Sequence, residues 1–143
     1  MKVVITGVGG LFGRGLVEVF SGRHAVFPLA RADADITRAE QVRVALKEIA
    51  PDVVIHPAGI PDLDICEDDP AQAFLVNVEG TRHVVAAARQ AGAVVAYVST
   101  DAVFDGHKQA PYTESDLPDP PTVYGQTKWQ GEQAVAAYPP YYI

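Results

Sequence analysis

Tyr124 and Lys128 stand four residues apart in the stretch Tyr124-Gly125-Gln126-Thr127-Lys128. On a helix that spacing brings both side chains to one face. An ammonium beside a phenol favours the phenolate and is expected to lower the tyrosine pKa. A phenol tuned in this way can give its proton to a carbonyl oxygen while a hydride reaches the carbon. The lysine can also hold a ribose. Upstream, Ser99-Thr100-Asp101 follows an apolar run. The Thr100 hydroxyl can hydrogen-bond a substrate oxygen, and the Asp101 carboxylate can bind a sugar hydroxyl. Read only as a strand-end turn, the same aspartate caps nearby N–H groups.

A third group lies near the N-terminus. In Gly7-Val8-Gly9-Gly10-Leu11-Phe12-Gly13 the spacing that fits is G-x-x-G-x-x-G, on Gly7, Gly10 and Gly13. G-x-G-x-x-G fails, because its third position falls on Phe12. Between a strand and a helix, Gly7 allows the tight turn and Gly10 a close backbone approach to a diphosphate. Gly13 lets the helix pack on the sheet, and the helix N-terminus favours the anion. A lysine followed by serine or threonine, as a kinase-type phosphate loop needs, is missing after the glycines.

The next candidate strand ends at Leu29-Ala30-Arg31. An acid there binds a ribose 2′-hydroxyl and an arginine accommodates a 2′-phosphate, so Arg31 favours NADP(H) over NAD(H). Asp33 is also within reach of a ribose, and Arg31 reads equally as a solvated surface charge. Asp35-Ile36 is expected to set a carboxylate and an apolar wall beside an adenine.

These groups need elements to carry them. Short apolar runs at residues 2–6, 25–29, 53–56 and 93–99 read as strands, the first buried on both faces because it hardly alternates. Helical patterns cover residues 10–20 and 40–50, the latter with Val42, Ala45, Leu46 and Ile49 on one face. One long helix is expected from Asp69-Pro70, an N-cap followed by proline at the first helical position, to Ala91, with Gly92 closing it. A proline-rich acidic loop spans about 105–121, and a last helix covers roughly 122–137. Tyr141-Tyr142-Ile143 reads as a strand just starting, which points to the N-terminal part of a longer protein. Strands alternating with helices imply an α/β fold, a doubly wound parallel sheet with right-handed crossovers. No domain boundary is visible within residues 1–143.

Composition narrows the function classes. The chain has 143 residues, 48% of them hydrophobic and 20% charged, so it carries a core for one domain. Eighteen acidic against 11 basic residues give a net charge of −7, which argues against a nucleic-acid partner. No apolar run approaches a membrane span, and residues 1–13 do not form a signal peptide. A single cysteine, Cys66, excludes an internal disulfide. A soluble, cytoplasmic protein is expected. The acidic stretch Asp62, Asp64, Glu67, Asp68, Asp69 matches no calcium loop and reads as solvated loop plus N-cap. His24, His56, His83 and His107 are scattered without metal-ligand spacing, so no metal is expected.

The motifs together resemble the extended short-chain dehydrogenase/reductases, and within them the dTDP-4-dehydrorhamnose reductase family. The resemblance rests on Ile5-Thr6-Gly7-x-x-Gly10-x-x-Gly13, Asp35-Ile36-Thr37, Pro51-Asp52-Val53-Val54-Ile55, Asn77-Val78-Glu79-Gly80-Thr81, Ser99-Thr100-Asp101-x-Val103-Phe104-Asp105-Gly106 and Tyr124-Gly125-x-Thr127-Lys128-x-x-Gly131-Glu132. It implies a Rossmann-like NAD(P)-binding domain over residues 1–143, lacking the last strands and a sugar-nucleotide-binding part. Thr100, Tyr124 and Lys128 would be the catalytic triad, with Tyr124 the proton donor, and Thr100 and Asp101 would contact the sugar. Gly7, Gly10, Leu11, Phe12 and Gly13 would hold the diphosphate, and Asp35 and Ile36 would lie at the adenine. Ala58, Gly59 and Ile60 would line the nicotinamide side, and Asn77 would sit near the active site on the long helix. Two positions depart from the family: His56, where asparagine is common, and Ile65, where lysine is common.

The implied activity is reduction of the 4-keto group of a nucleotide-linked deoxysugar by NADP(H), with a nucleotide sugar as substrate and a homodimer as the oligomer left open. Two other readings share the scaffold: a sugar-nucleotide epimerase or dehydratase, and a non-catalytic NADP-binding partner resembling the regulatory subunit of methionine adenosyltransferase.

Overall fold

Strand β1 (Lys2–Thr6) buries four of its five residues and lies inside the sheet. It pairs in parallel with β2 (Ala25–Leu29) on one side and β3 (Val53–His56) on the other. Strands β4 (Val94–Tyr97) and β5 (Tyr141–Tyr142) continue beyond β3, giving the all-parallel order β2-β1-β3-β4-β5. The computed structural model describes residues 1–143.

The pleat of each strand sends alternate side chains to opposite layers. Val4, Val54, Val95 and Tyr97 face helices α2 (Ala39–Ile49), α5 (Gly80–Ala91) and α6 (Val123–Ala136), where Val42, Leu46, Val84, Val85, Ala88 and Val135 meet them. Val3, Ile5 and Ile55 face α1 (Leu11–Ser21), against Leu16, Val17 and Phe20. The sheet is thus covered on both faces, the doubly wound arrangement expected of near-continuous apolar strands. Each such fully buried aliphatic side chain contributes about 1.5–3 kcal/mol, so the strands are held by side-chain packing as well as by their ladders. No helix is long and apolar enough to cross a membrane.

The connection from β3 to β4 differs from the expectation. The acidic stretch is solvated as expected but is not a loop: Leu63–Asp68 forms helix α3, with the Asp62 carboxylate accepting from the Ile65 N–H at 3.0 Å. Of its six residues only Cys66 is buried, so no amphipathic stripe marks it. The expected long helix does start at Pro70 behind the Asp69 cap, which accepts from the Gln72 N–H at 3.0 Å, and it ends at Gly92. It is not continuous α-helix. A π-helical turn, Leu75–Glu79, separates α4 (Pro70–Phe74) from α5. Such single turns insert one residue into the ladder and shift the phase of the face that follows.

Candidate functional site

All five strands point the same way, so the loops after β1, β3 and β4 leave one edge of the sheet. The chain order reverses between β1 and β3, the place where open α/β sheets open a crevice for ligands. There Gly7 adopts φ +63°, and a Cβ on it would lie 2.8 Å from the Ala58 backbone. A Cβ on Gly13 would lie 2.3 Å from the Gly7 carbonyl oxygen. Any side chain would therefore close the cradle. Gly10 is the N-cap of α1 and no side chain caps that helix, which leaves its first-turn N–H groups free for an anion. The Leu11 and Phe12 side chains stand exposed beside them. This donor set fits a dinucleotide diphosphate.

At the end of β2 Arg31, Asp35 and Thr37 are tied to one another, while Asp33 bonds only the backbone. The Asp33 carboxylate accepts from the Ala30 N–H at 3.0 Å. Asp35 accepts from the Thr37 N–H and hydroxyl at 2.9 and 2.8 Å and from Arg31 Nε at 3.1 Å. The Thr37 hydrogen bonds, more than Arg31, hold the Asp35 carboxyl below the usual carboxylate range. The Arg31 side chain remains mostly exposed. Ile36 braces α5: a Cβ on Gly80 would meet its Cδ1 at 2.8 Å, and its carbonyl lies 2.9 Å from His83 Nδ1.

Helix α6 is positioned by its first turn. The Thr122 hydroxyl accepts from the Gly125 N–H at 3.1 Å, and Glu67 of α3 accepts from the Val123 N–H at 2.8 Å. The acidic stretch thus caps the helix that carries Tyr124 and Lys128. Gly125 packs against the short 3-10 turn Asp101–Val103, so closely that a Cβ would sit 2.3 Å from the Ala102 carbonyl oxygen. Thr100 caps that turn, accepting from the Ala102 N–H at 3.2 Å. The docking sets the Thr100 hydroxyl beside the half-buried Tyr124 phenol. Asp101 is exposed next to them.

The electrostatic expectation for the pair is overturned. The Tyr124 pKa is raised, not lowered: burial dominates, and the Thr100 hydroxyl only partly opposes it. Lys128 does not act on the phenol. Its Nζ donates to the Val98 carbonyl at 2.6 Å and lies over the Tyr97 ring. Burial pulls the Lys128 pKa down to about 8, with Glu132 working the other way.

The loop after β3 joins the two halves of the site. Ala58 meets Gly7, and a Cβ on Gly59 would meet Asn77 Oδ1 at 2.8 Å. The Asn77 carboxamide accepts from the Ile60 N–H at 2.7 Å and donates to the Ile60 carbonyl and to Thr127 Oγ1, both at 3.0 Å. The family resemblance placed Asn77 near the site, but Thr127 and Thr81 as its partners and Glu67 as the cap of α6 were missed. Asn77 is fully buried on a helix, and Thr81 lies one turn on; a buried polar pair at that spacing is the signal that was available.

The whole chain, residues 1–143, matches the RmlD substrate binding domain. It is 39% identical over 136 residues to a dTDP-4-dehydrorhamnose reductase of Burkholderia thailandensis, covering 95% of this chain and 46% of that one. It is 37% identical over 142 residues to methionine adenosyltransferase 2 subunit beta of Rattus norvegicus, covering 94% and 42%. The crystal structure of a dTDP-4-dehydrorhamnose reductase from Clostridium acetobutylicum superposes with a TM-score of 0.96 at 39% identity, over 100% of this chain and 52% of that one. That of dTDP-4-dehydrorhamnose reductase from Bacillus anthracis in complex with NADP does so with 0.94 at 34% identity, over 98% and 51%. The chain spans about half the length of the curated relatives it matches. A sheet of this order, a glycine cradle at its switch point and a match running from the first residue to the last together make the chain a member of the RmlD substrate binding domain family.

Proposed function

We propose that the protein reduces the 4-keto group of a nucleotide-linked deoxysugar, as a dTDP-4-dehydrorhamnose reductase-like enzyme using NADP(H). The observation that carries this reading is the docking of Gly125 on the Asp101–Val103 turn, which sets Tyr124 beside Thr100 at the sheet edge that also bears the Gly7–Gly13 cradle. The relatives named as reductases, one of them solved with NADP, support it.

The glycine cradle and the first-turn N–H groups of α1 would hold the diphosphate. Ala58, Gly59 and Ile60 would line the nicotinamide ribose. When bound, the reduced nicotinamide supplies hydride to the keto carbon. Thr100 hydrogen-bonds the keto oxygen, and Tyr124 donates its phenolic proton to that oxygen, completing the alcohol. The raised Tyr124 pKa keeps the phenol protonated at neutral pH, which is the form a reductase needs. Lys128, whose ammonium is anchored at the Val98 carbonyl, would hold the nicotinamide ribose. Asp101 binds a sugar hydroxyl. Arg31 favours NADP(H): an exposed ion pair with Asp35 is worth about 0–1 kcal/mol, so a 2′-phosphate readily takes over the guanidinium.

The test is oxidation of NADPH on addition of a dTDP-4-keto-6-deoxy sugar to the protein expressed from its complete reading frame. Turnover yielding the 4-hydroxy sugar is expected. Tight NADPH binding with no turnover would replace this reading with that of a nucleotide-binding partner protein.

A further inference from the structure

His56 closes β3 with no solvent exposure, between two threonines. Its Nδ1 lies 2.8 Å from Thr6 Oγ1 and its Nε2 3.1 Å from Thr81 Oγ1. Thr81 directs its one hydroxyl hydrogen to the Asn77 carbonyl at 2.7 Å. Its oxygen can therefore only accept from the ring, which places the hydrogen on Nε2 and leaves Nδ1 to accept from Thr6. Thr6 Oγ1 accepts in turn from the Ala58 N–H at 3.4 Å. Every bond in the chain now has a direction, from the post-β3 loop through Thr6, His56 and Thr81 to the π-turn.

That chain ends on the peptide that carries Asn77. The Asn77 carboxamide spans Ile60 on one side and Thr127 on the other, and Thr127 lies between Tyr124 and Lys128 on α6. Its placement fixes the gap between the loop on the nicotinamide side and the proton-donating helix. A shift of the π-turn would open that gap at both ends. Burial, with the charge of Lys128 adding to it, takes the His56 pKa down to about 3, so the ring stays neutral and the chain keeps its direction across the working pH range.

We propose that His56 is a positioning residue for the reduction: acting through Thr81, it pins the Asn77 peptide and so sets the spacing between the Ala58–Ile60 loop and the Tyr124–Lys128 face. This rests on the reductase reading above. A residue that sets spacing changes the hydride-transfer step itself, whereas one that only aids folding changes the amount of competent protein.

The experiment compares His56→Leu with His56→Gln, and Thr81→Val with Thr81→Ser, in the complete protein. NADPH binding titrates competent sites, and kcat per site is measured with NADPH and with its 4-deuterated form. His56→Leu and Thr81→Val are expected to lower kcat per site by roughly 10- to 100-fold, the scale of a misplacement of about 1 Å. The deuterium isotope effect on kcat is expected to rise. His56→Gln keeps an N–H for Thr81 and Thr81→Ser keeps the hydroxyl, so both recover most of the loss. If His56→Leu does not fold, the Thr81 pair decides. Unchanged kcat per site, or an unchanged isotope effect with loss only of competent sites, overturns the proposal. A wild type that binds NADPH but oxidises none with 4-keto sugar nucleotides overturns the reductase reading and this proposal with it, an outcome told apart because the wild type itself is silent.

Discussion

Lys128 holds its Nζ 3.9 Å above the centre of the Tyr97 ring while donating a 2.6 Å hydrogen bond to the Val98 carbonyl. The Tyr97 hydroxyl is buried near Thr81 without a well-formed hydrogen bond, and burial, only partly opposed by Thr81, holds its pKa well above the ordinary value. The ring under the ammonium is therefore a neutral phenol at every working pH, and its π-face offsets part of the cost of burying the charge. The remainder of that cost appears as a Lys128 pKa of about 8.

A pH profile follows from this value. The ammonium is present below about pH 8 and is lost above it. In the proposed reduction the charged Lys128 holds the nicotinamide ribose and Tyr124 stays protonated, so kcat/KM for the keto sugar is expected to hold below that pH. Above it, kcat/KM should fall by up to about tenfold per pH unit. Lys128→Arg should move this limb beyond the measurable range, because arginine does not lose its proton. A limb that stays near pH 8 in the arginine variant would assign it to another group.

Tyr124→Phe removes the proposed proton donor and its contact with the Thr100 hydroxyl, and keeps the rest of the side chain. Turnover should fall by about 10²–10⁴-fold, with NADPH affinity and thermal stability close to wild type. Stopped-flow hydride transfer together with fluorescence titration of NADPH separates the two effects. Normal transfer rates would remove Tyr124 from its role.

Gly125→Ala tests how the site is assembled. The added Cβ would sit 2.3 Å from a backbone oxygen and 2.8 Å from Pro120 Cβ, neither of which can swing aside. Overpacking of this kind costs about 1–3 kcal/mol, and the only relief is to move α6 off the Asp101–Val103 turn. Denaturant unfolding should show the stability loss. The kinetics should show a larger drop in kcat than in NADPH affinity, because the displacement separates Tyr124 from Thr100 and leaves the glycine cradle intact. Equal losses in both would mean that the disturbance spreads through the whole fold.

Arg31→Ala separates the two dinucleotides. A hydrogen-bonded charge pair contributes about 1.5–3 kcal/mol, against about 0–1 kcal/mol for the exposed ion pair with Asp35 that it gives up. Affinity for NADPH should fall by roughly 2- to 150-fold, while that for NADH stays nearly constant. Parallel losses for both would reduce Arg31 to a brace for Asp35.

How far these features can be read from sequence depends on whether they are local. The strands at 2–6, 25–29 and 53–56 and the caps at Asp69 and Gly92 were legible because a short window holds the whole signal: an apolar run, an aspartate before a proline, a glycine after the last turn. Helix α3 was not, since Leu63–Asp68 buries one residue in six and owes its place to Glu67 reaching the N–H of Val123, 56 residues away. The π-turn was hidden because one inserted residue shifts the helical phase without interrupting it. The Tyr124–Lys128 spacing was visible, yet the strand beneath decides where the lysine goes: Val98 and Tyr97 draw the ammonium, and the phenol is left to burial. The chain from Thr6 through His56 to Thr81 joins β1, β3 and α5, three elements whose adjacency only the sheet order reveals. In the sequence His56 was merely a departure from a common asparagine.

His56 also leaves a signature in the pH dependence of stability. Its folded pKa of about 3 lies below the ordinary histidine value of 6.5, so the neutral ring contributes stability that is fully present above pH 6.5 and is lost as pH falls towards 3. Between pH 7 and pH 5 this one group should remove about 2 kcal/mol. Carboxylates such as Asp35, whose pKa is lowered by its Thr37 hydrogen bonds, act in the same direction but mostly at lower pH, and they are common to wild type and variant. His56→Gln does not titrate, so its stability should change less over this interval, by that same amount, even though it starts lower at pH 7. Urea unfolding of both proteins at the two pH values gives the difference directly. Parallel slopes would mean that the imidazole is protonated or solvent-accessible in the folded protein, and the direction assigned to the Thr6–His56–Thr81 chain would then be wrong.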